Sequence, residues 1–206
     1  MFGRFKRISE PAIVRLKMLV FVLALLPLAK LMVNGLMDHL GANPIERILR
    51  RTGFWTLTML TLTMAVTPLR QSIGRVWIGR FRRMLGLFAF FYGCLHFATY
   101  LVLDQFFDWP GIFKDITKRP YITVGFSAFV LMMPLAITST DAMLRRLGGK
   151  RWRALHRLVY LITAAGVVHF WWLVKKDITE PLIFALLLVL SLAVRQFYAQ
   201  RSDLRE

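Results

Sequence analysis

Long apolar runs alternate with short charged stretches along the whole chain. Most of the runs approach the ~20 residues that a helix needs to cross the hydrocarbon core of a bilayer. Charged residues, proline or glycine bound each of them. They predict six membrane-spanning helices at about 14–36, 53–68, 84–103, 121–138, 155–174 and 180–197. We therefore predict an all-α integral membrane protein, with one transmembrane domain over residues 1–206 that forms a six-helix bundle.

The composition agrees with a membrane protein and argues against other classes. Hydrophobic residues make up 57% of the 206 residues, whereas a soluble domain has about 45–50%. The net charge of +17 does not indicate a nucleic-acid partner, because the basic residues lie in short loops beside apolar runs, where they set topology. The single cysteine, Cys94, excludes an internal disulfide and a CxxCH haem attachment.

Lysine and arginine are divided unequally between the two sets of loops. The N-terminus, the 69–83 loop, the 139–157 region and the C-terminal end hold 19 of the 28 Lys and Arg residues, and the other three loops hold eight. The more basic side of a membrane protein faces the cytoplasm. This distribution predicts that both termini are cytoplasmic.

Three of the four histidines fall in predicted spans. His96 lies in the third span, and His156 and His169 lie in the fifth. Ionisable side chains are rare within membranes and usually have a function there. His39 lies in the first outer loop, where we expect a solvated side chain.

His96 and His169 have matching depths in the predicted bundle. His96 follows the basic residue Arg83 by 13 residues, and His169 follows Arg157 by 12. At ~1.5 Å per residue, each lies roughly 18–20 Å from the inner surface. Two imidazoles at one depth on parallel helices can supply the two axial nitrogens of six-coordinate haem iron, so we predict that His96 and His169 are these ligands. The alternative is that the histidines only form hydrogen bonds between helices.

His156 precedes His169 by 13 residues, or ~20 Å towards the inner side. This depth suits a second haem or another redox group with His156 as a ligand. The third span has no histidine near residues 82–85 to complete a pair. An inner haem would then need an unusual sixth ligand or be five-coordinate, and a flavin is the alternative. Weaker candidates for cofactor binding are Arg82, Arg83, Arg153, Tyr92 and Tyr160.

Several short motifs resemble a known family. They are RRMLGL at 82–87, Tyr92, LH at 95–96, KRPY at 118–121, PLAITS at 134–139, WRALHRLVY at 152–160 and HF at 169–170. Together they resemble the MsrQ (YedZ) family of haem-binding membrane subunits, within the ferric-reductase-like transmembrane family that includes NADPH oxidases and STEAP reductases. The likeness covers about residues 15–199. Its most specific part is the segment around His156 with the 13-residue step to His169.

The resemblance implies one or two b-type haems, with histidines of the third and fifth spans as ligands. It implies electron flow from the quinol pool, or from a cytoplasmic flavin reductase with FMN, to a periplasmic molybdenum-cofactor enzyme. That partner reduces methionine sulfoxide in oxidised envelope proteins. The wider family often has paired histidines on the third span, and this sequence has only His96 there.

The chain ends within ten residues of its last predicted span, so we expect another protein to deliver the electrons. We predict an electron-transfer subunit of an oxidoreductase rather than the site of substrate reduction. Two alternatives remain open at this point. One is a self-standing ferric or metal reductase, and the other is a non-redox transporter or assembly factor.

Overall fold

The protein is a bundle of helices. The computed structural model describes residues 8–174 and 176–203, apart from the side chains of residues 202 and 203. Within these ranges the regular elements are all helical, as the sequence predicted. They are α1 (Glu10–Leu36), α2 (Pro44–Ile73), a 3₁₀ helix (Val76–Phe81), α3 (Arg82–Ala98), a π-helix (Thr99–Asp104), α4 (Trp109–Lys118), α5 (Pro120–Ile137), α6 (Asp141–His156), α7 (Leu158–Leu173) and α8 (Thr179–Asp203).

Five stretches of the described chain are long and apolar enough to cross a membrane. They are Glu10–Leu36, Val76–Asp104, Pro120–Ile137, Asp141–Leu173 and Thr179–Arg201. Leucines such as Leu19 on α1 and Leu186 on α8 are more than half exposed. Apolar side chains facing outward from helices whose backbone groups are internally paired are suited to contact with lipid.

The predicted second span, 53–68, forms the middle of α2 and is not among those five stretches. Six threonines lower the hydropathy of this 30-residue helix. Their hydroxyls are nevertheless largely paired within it, since Thr56 donates to the carbonyl of Thr52 (2.9 Å) and Thr61 to that of Leu57 (2.8 Å). A hydroxyl bonded to its own helix needs no water. The sixth span therefore stays a prediction.

Local signals fix both ends of α2. The side chain of Asn43 accepts a hydrogen bond from the backbone N–H of Glu46 (3.2 Å), and Pro44 occupies the first turn. Both are features of helix N-termini. Gly74 ends the helix in the left-handed conformation (φ 70°), which glycine adopts without steric cost.

Two regions predicted as loops contain helices. The outer loop after the third span contains α4, and the inner 139–157 region contains α6. The side chain of Thr140 accepts from the backbone N–H of Met143 (3.1 Å) and so caps α6. Gly148 interrupts the helical dihedral angles within α6 (φ 73°, ψ 150°). The predicted fifth span, 155–174, corresponds to the end of α6 followed by α7.

Four helices form a ring at the centre of the bundle. α2 packs along α3 and α5 along α7, while further contacts join α2 to α7 and α3 to α5. α8 covers the outside of α2 and α7. Ala89 of α3 and Ile162 of α7 are fully buried. α1 is fastened to this ring by the hydroxyl of Tyr92, which donates to the carbonyl of Ala24 (2.7 Å).

Insertion of alkaline phosphatase into the full chain tests whether α2 crosses the membrane. If it does, the enzyme inserted after Gly41 is periplasmic and active, whereas the enzyme inserted after Gly74 is cytoplasmic and inactive. Green fluorescent protein at the same two positions should give the opposite pattern, since it fluoresces in the cytoplasm. The same reporter activity at both positions would contradict a crossing by α2.

Candidate functional site

The ring of α2, α3, α5 and α7 encloses a cavity of about 300 Å³. Each of the four helices contributes one glycine to the wall: Gly53, Gly93, Gly125 and Gly166. Because glycine has no side chain, the helix backbones themselves border the cavity at these points. A flat group could therefore approach the helices closely.

His96 of α3 and His169 of α7 lie at this cavity with their ring centroids 6.2 Å apart. The two ring planes are inclined by 76°. The separation confirms the prediction that the two side chains come close together, and their depth in a membrane stays a prediction. Their role as metal ligands stays a prediction.

His96 is held through its Nδ1 atom. This nitrogen lies 3.0 Å from the carbonyl oxygen of Leu49 and 3.4 Å from the hydroxyl of Thr52, both on α2. A carbonyl oxygen only accepts, so Nδ1 is the nitrogen that carries the proton. Thr52 donates its own hydroxyl to the carbonyl of Ile48 (2.8 Å), which leaves its oxygen as a second acceptor.

His169 is held in the same way by a different helix. Its Nδ1 donates to the carbonyl oxygen of Tyr121 on α5 (2.7 Å). None of the hydrogen bonds among the described residues involves Nε2 of His96 or of His169. Each ring therefore keeps Nε2 for another partner, which is the arrangement of histidines that bind metals.

Two of the glycines lie directly against the histidine rings. A Cβ atom at Gly53 would come within 3.0 Å of Cε1 of His96, and one at Gly125 within 2.6 Å of Nδ1 of His169. These two glycines could not be singled out from the sequence. Their only signal in the sequence is a glycine inside an apolar helix, and this does not show which side chain packs against it.

Aromatic rings form one wall of the cavity. Phe97 of α3 stacks on Phe129 of α5 at 5.0 Å, and Phe126 of α5 lies 5.8 Å from Phe97. These side chains make the surroundings of the two histidines apolar. Such surroundings suit a flat, largely apolar group.

Two arginines missed by the sequence analysis also border this cavity, Arg50 of α2 and Arg119 beside α5. Arg50 pairs with Glu46 (2.7 Å), and Arg119 pairs with Asp115 (3.2 Å). In the sequence, both are explained by topology alone. The cavity is therefore bordered by cationic side chains as well as by apolar ones.

The structure gives His156 separate partners. Its ring stacks on that of Trp152 (3.8 Å between centroids, 21° between planes), and its Nε2 lies 3.0 Å from the hydroxyl of Thr138. The Thr138 hydroxyl donates to the carbonyl of Pro134 (2.6 Å), so it accepts from Nε2–H of His156. Any ligand of His156 in this conformation would therefore bind Nδ1.

The three arginines predicted as cofactor-binding candidates differ in their burial and in their relation to His156. Arg82 is half-buried, and both Arg82 and Arg83 are close enough to His156 to interact with it electrostatically. Arg83 also pairs with Asp141 (2.7 Å). Arg153 is exposed. None of these three arginines lines the cavity at His96 and His169.

The two candidate tyrosines have different surroundings. Tyr92 is 1% exposed, and its hydroxyl is used in the hydrogen bond to Ala24. The hydroxyl of Tyr160 is buried and has no hydrogen-bond partner among the described residues, while the guanidinium of Arg195 lies 4.8 Å above its ring. Neither tyrosine borders the histidine cavity.

Comparison with known proteins gives consistent relatives. Residues 52–167 match the family described as ferric reductase like transmembrane component. The protein-methionine-sulfoxide reductase heme-binding subunit MsrQ of Herminiimonas arsenicoxydans is 55% identical over 193 residues, which cover 93% of this chain and 88% of the relative. The MsrQ proteins of Ralstonia nicotianae (52% over 184 residues, 88% and 85% covered) and Rhodospirillum rubrum (55% over 182 residues, 88% of each covered) are similar to it as well.

Replacing Tyr92 by Phe tests whether its hydroxyl acts only between helices. The change removes one buried hydrogen bond, so the free energy of unfolding in detergent should fall by about 1 kcal/mol. Thermal unfolding followed by circular dichroism measures this. Tyr160→Phe is the matched control and should not be destabilised, because its hydroxyl has no partner to lose. An undiminished stability in Tyr92→Phe, with loss of a bound cofactor, would instead give this hydroxyl a role in cofactor binding.

Proposed function

Because the chain belongs to the ferric-reductase-like transmembrane family, and within it to the MsrQ haem-binding subunits, we propose that this multi-pass membrane protein is a b-type cytochrome. His96 and His169 are the proposed axial ligands of a haem in the cavity between α2, α3, α5 and α7. The protein passes electrons through this site and does not itself reduce the final substrate.

The paired imidazoles are the observation that supports this proposal most strongly. A bond between a metal and an imidazole nitrogen is about 2 Å long, so two rings on opposite sides of one metal ion have centroids about 6 Å apart. The observed separation is 6.2 Å. Each ring is also anchored through Nδ1, which leaves Nε2 for the iron.

The rest of the cavity fits a haem as well. Glycines on all four helices leave space beside the backbones, and Phe97 and Phe129 provide an apolar wall for a macrocycle. Haem also carries two carboxylates, which need cationic partners in an apolar setting. Arg50 and Arg119, which border the same cavity, are the proposed partners.

Bound haem supplies reversible one-electron chemistry at its iron. The residues of the chain determine how that chemistry is used. His96 and His169 would hold the haem iron between two protein ligands, and this would favour electron transfer over the binding of a substrate. The carbonyls of Leu49 and Tyr121 make the two imidazoles better donors and hold their orientation.

A second redox site on the inner side is proposed at His156. Trp152 covers its ring, and the charges of Arg82 and Arg83 can attract the carboxylates of a haem or the phosphate of FMN. Arg153 and Tyr160 are weaker candidates for the same site. Since Nε2 of His156 donates to Thr138, the proposed ligand atom is Nδ1.

The proposed path runs from the cytoplasmic side outward across the bacterial inner membrane. In the proposed arrangement of six spans with both termini inside, His156 would lie near the electron source, and His96 with His169 near the periplasm. The donor is the quinol pool or a cytoplasmic flavin reductase with FMN. The acceptor is a periplasmic molybdenum-cofactor methionine sulfoxide reductase that repairs oxidised envelope proteins. The names of the relatives, which describe the heme-binding subunit of a protein-methionine-sulfoxide reductase, support a methionine sulfoxide reductase as the acceptor.

Histidine variants test the ligand assignment. In mild detergent, the reduced wild-type protein should show a b-type spectrum, and His96→Ala and His169→Ala should each lose the haem of the outer site in a pyridine haemochrome assay. His39→Ala, at an exposed loop position, is the control and should keep the full haem content. His156→Ala should lose only the haem of the inner site, if that site holds one. If wild-type protein from cells with an ample haem supply shows no Soret band, this would contradict the electron-transfer function and favour a transporter or assembly factor.

A second experiment tests the acceptor. Haem reduced with dithionite, after removal of the excess, should be reoxidised rapidly when a purified periplasmic methionine sulfoxide reductase and methionine sulfoxide are added together. Omission of the sulfoxide should restrict reoxidation to the few electrons that the partner itself accepts. Reoxidation by ferric citrate alone, with no response to the partner, would identify a self-standing metal reductase instead.

A further inference from the structure

We propose that Gly53 and Gly125 are positioning residues that fix the two histidine rings against neighbouring helices. The inference depends on the proposed haem ligation by His96 and His169. It assigns to each ligand a second helix, a carbonyl and a glycine that together determine which nitrogen faces the iron and how the ring is turned.

We use the word cradle for the carbonyl and the glycine that together hold one histidine ring. The first cradle is formed by Leu49 and Gly53 of α2. Gly53 follows Leu49 by four residues, and His96 packs against Gly53 while its Nδ1 donates to the carbonyl of Leu49. In an α-helix the carbonyl of one residue accepts the N–H of the residue four positions later. The oxygen that binds His96 is therefore the one facing Gly53. Its second lone pair is available for the imidazole.

The second cradle repeats this arrangement on α5. Gly125 follows Tyr121 by four residues, and His169 packs against Gly125 while its Nδ1 donates to the carbonyl of Tyr121. The spacing, the atoms and the contact are the same, although the helices are different. This repetition at both proposed ligands is what separates the arrangement from an accidental close contact.

Glycine is required at both positions for a steric reason. A Cβ atom at Gly125 would lie 2.6 Å from Nδ1, 2.8 Å from Cε1 and 3.0 Å from Cγ of His169, so the ring would have to leave its carbonyl. A Cβ at Gly53 would lie 3.0 Å from Cε1 and 3.1 Å from Nδ1 of His96. The ring there would need a smaller shift.

Gly93 provides a contrast within the same cavity. A Cβ there would meet side-chain atoms of Phe129, Thr56 and Met132 at 3.5–3.8 Å, which are ordinary contacts. Gly93 therefore borders the cavity without touching either histidine. It serves as a matched control, because an added methyl group reduces the same cavity.

The two cradles should influence the electron paramagnetic resonance spectrum of the ferric haem, because they fix the angle between the imidazole planes. Since each ring is fixed by its own helix, the two planes are held 76° apart. Nearly perpendicular axial imidazoles give low-spin ferric haem a strongly anisotropic electron paramagnetic resonance signal. Imidazoles that are free to become parallel give a more rhombic signal.

The test compares haem content and the ferric resonance spectrum in Gly53→Ala, Gly125→Ala and Gly93→Ala. Loss of the group that hydrogen-bonds a metal ligand weakens metal binding by about 10–100-fold. Gly125→Ala should therefore lose most of the haem held by His96 and His169. Gly53→Ala should retain more haem, with a resonance signal shifted towards the rhombic or high-spin form. Gly93→Ala narrows the same cavity without touching either ring, so the haem that it retains should give a signal closer to that of the wild type than Gly53→Ala does.

The outcomes separate this proposal from the one on which it depends. Wild-type haem content in His96→Ala and His169→Ala would overturn the ligation itself. If those variants lose haem but Gly53→Ala and Gly125→Ala keep both the content and the signal of the wild type, only the cradle proposal fails. An identical change in Gly53→Ala and Gly93→Ala would also overturn it, because simple filling of the cavity would explain both. Gly53→Ala remains decisive if Gly125→Ala does not fold.

Discussion

A hydrogen bond from a histidine Nδ1 to a main-chain carbonyl is the interaction on which the centre of this bundle depends. A buried imidazole needs a partner for its N–H, and the backbone groups within a helix are already paired. The carbonyls of Leu49 and Tyr121 meet this need with a second lone pair. The bond requires the ring to lie almost on the neighbouring helix, which only a missing side chain permits. The need for glycine beside each ring, the orientation of the ring and the availability of Nε2 all follow from this one interaction.

The proximity of His96 and His169 could be predicted from the sequence because the rise per residue along two parallel helices converts residue number into distance. Counting from Arg83 and Arg157 placed His96 and His169 at one level, and their rings are in contact range. Rotation about the helix axis and the identity of the neighbouring helix could not be obtained in this way. The role of Gly53 and Gly125 depends on both, so it appears only in three dimensions. The family itself was identified from short motifs, and the relatives confirm it.

The inner side was predictable to a smaller extent. The sequence indicated a basic region around His156 but not the helix α6, because a strongly charged stretch interrupted by glycine looks the same as a basic loop that sets topology. Nor did it indicate that Thr138 would bind Nε2 of His156. Arg50 and Arg119 were assigned to topology for a related reason. A loop arginine that sets orientation and one that also borders a cavity look the same in a sequence.

The threonines of α2 have a consequence for the biogenesis of the protein. Hydroxyls that bond within the helix make α2 compatible with an apolar interior, yet they leave it with a weak affinity of its own for lipid. In a six-span arrangement, such a segment would be retained mainly by contacts with its neighbours, chiefly α3. Because α3 is synthesised after α2, the pair of helices α1 and α2 would not be stably inserted at the translocon until α3, with His96, had emerged. Stable insertion of α2 and placement of His96 against Leu49 and Gly53 would then be a single event.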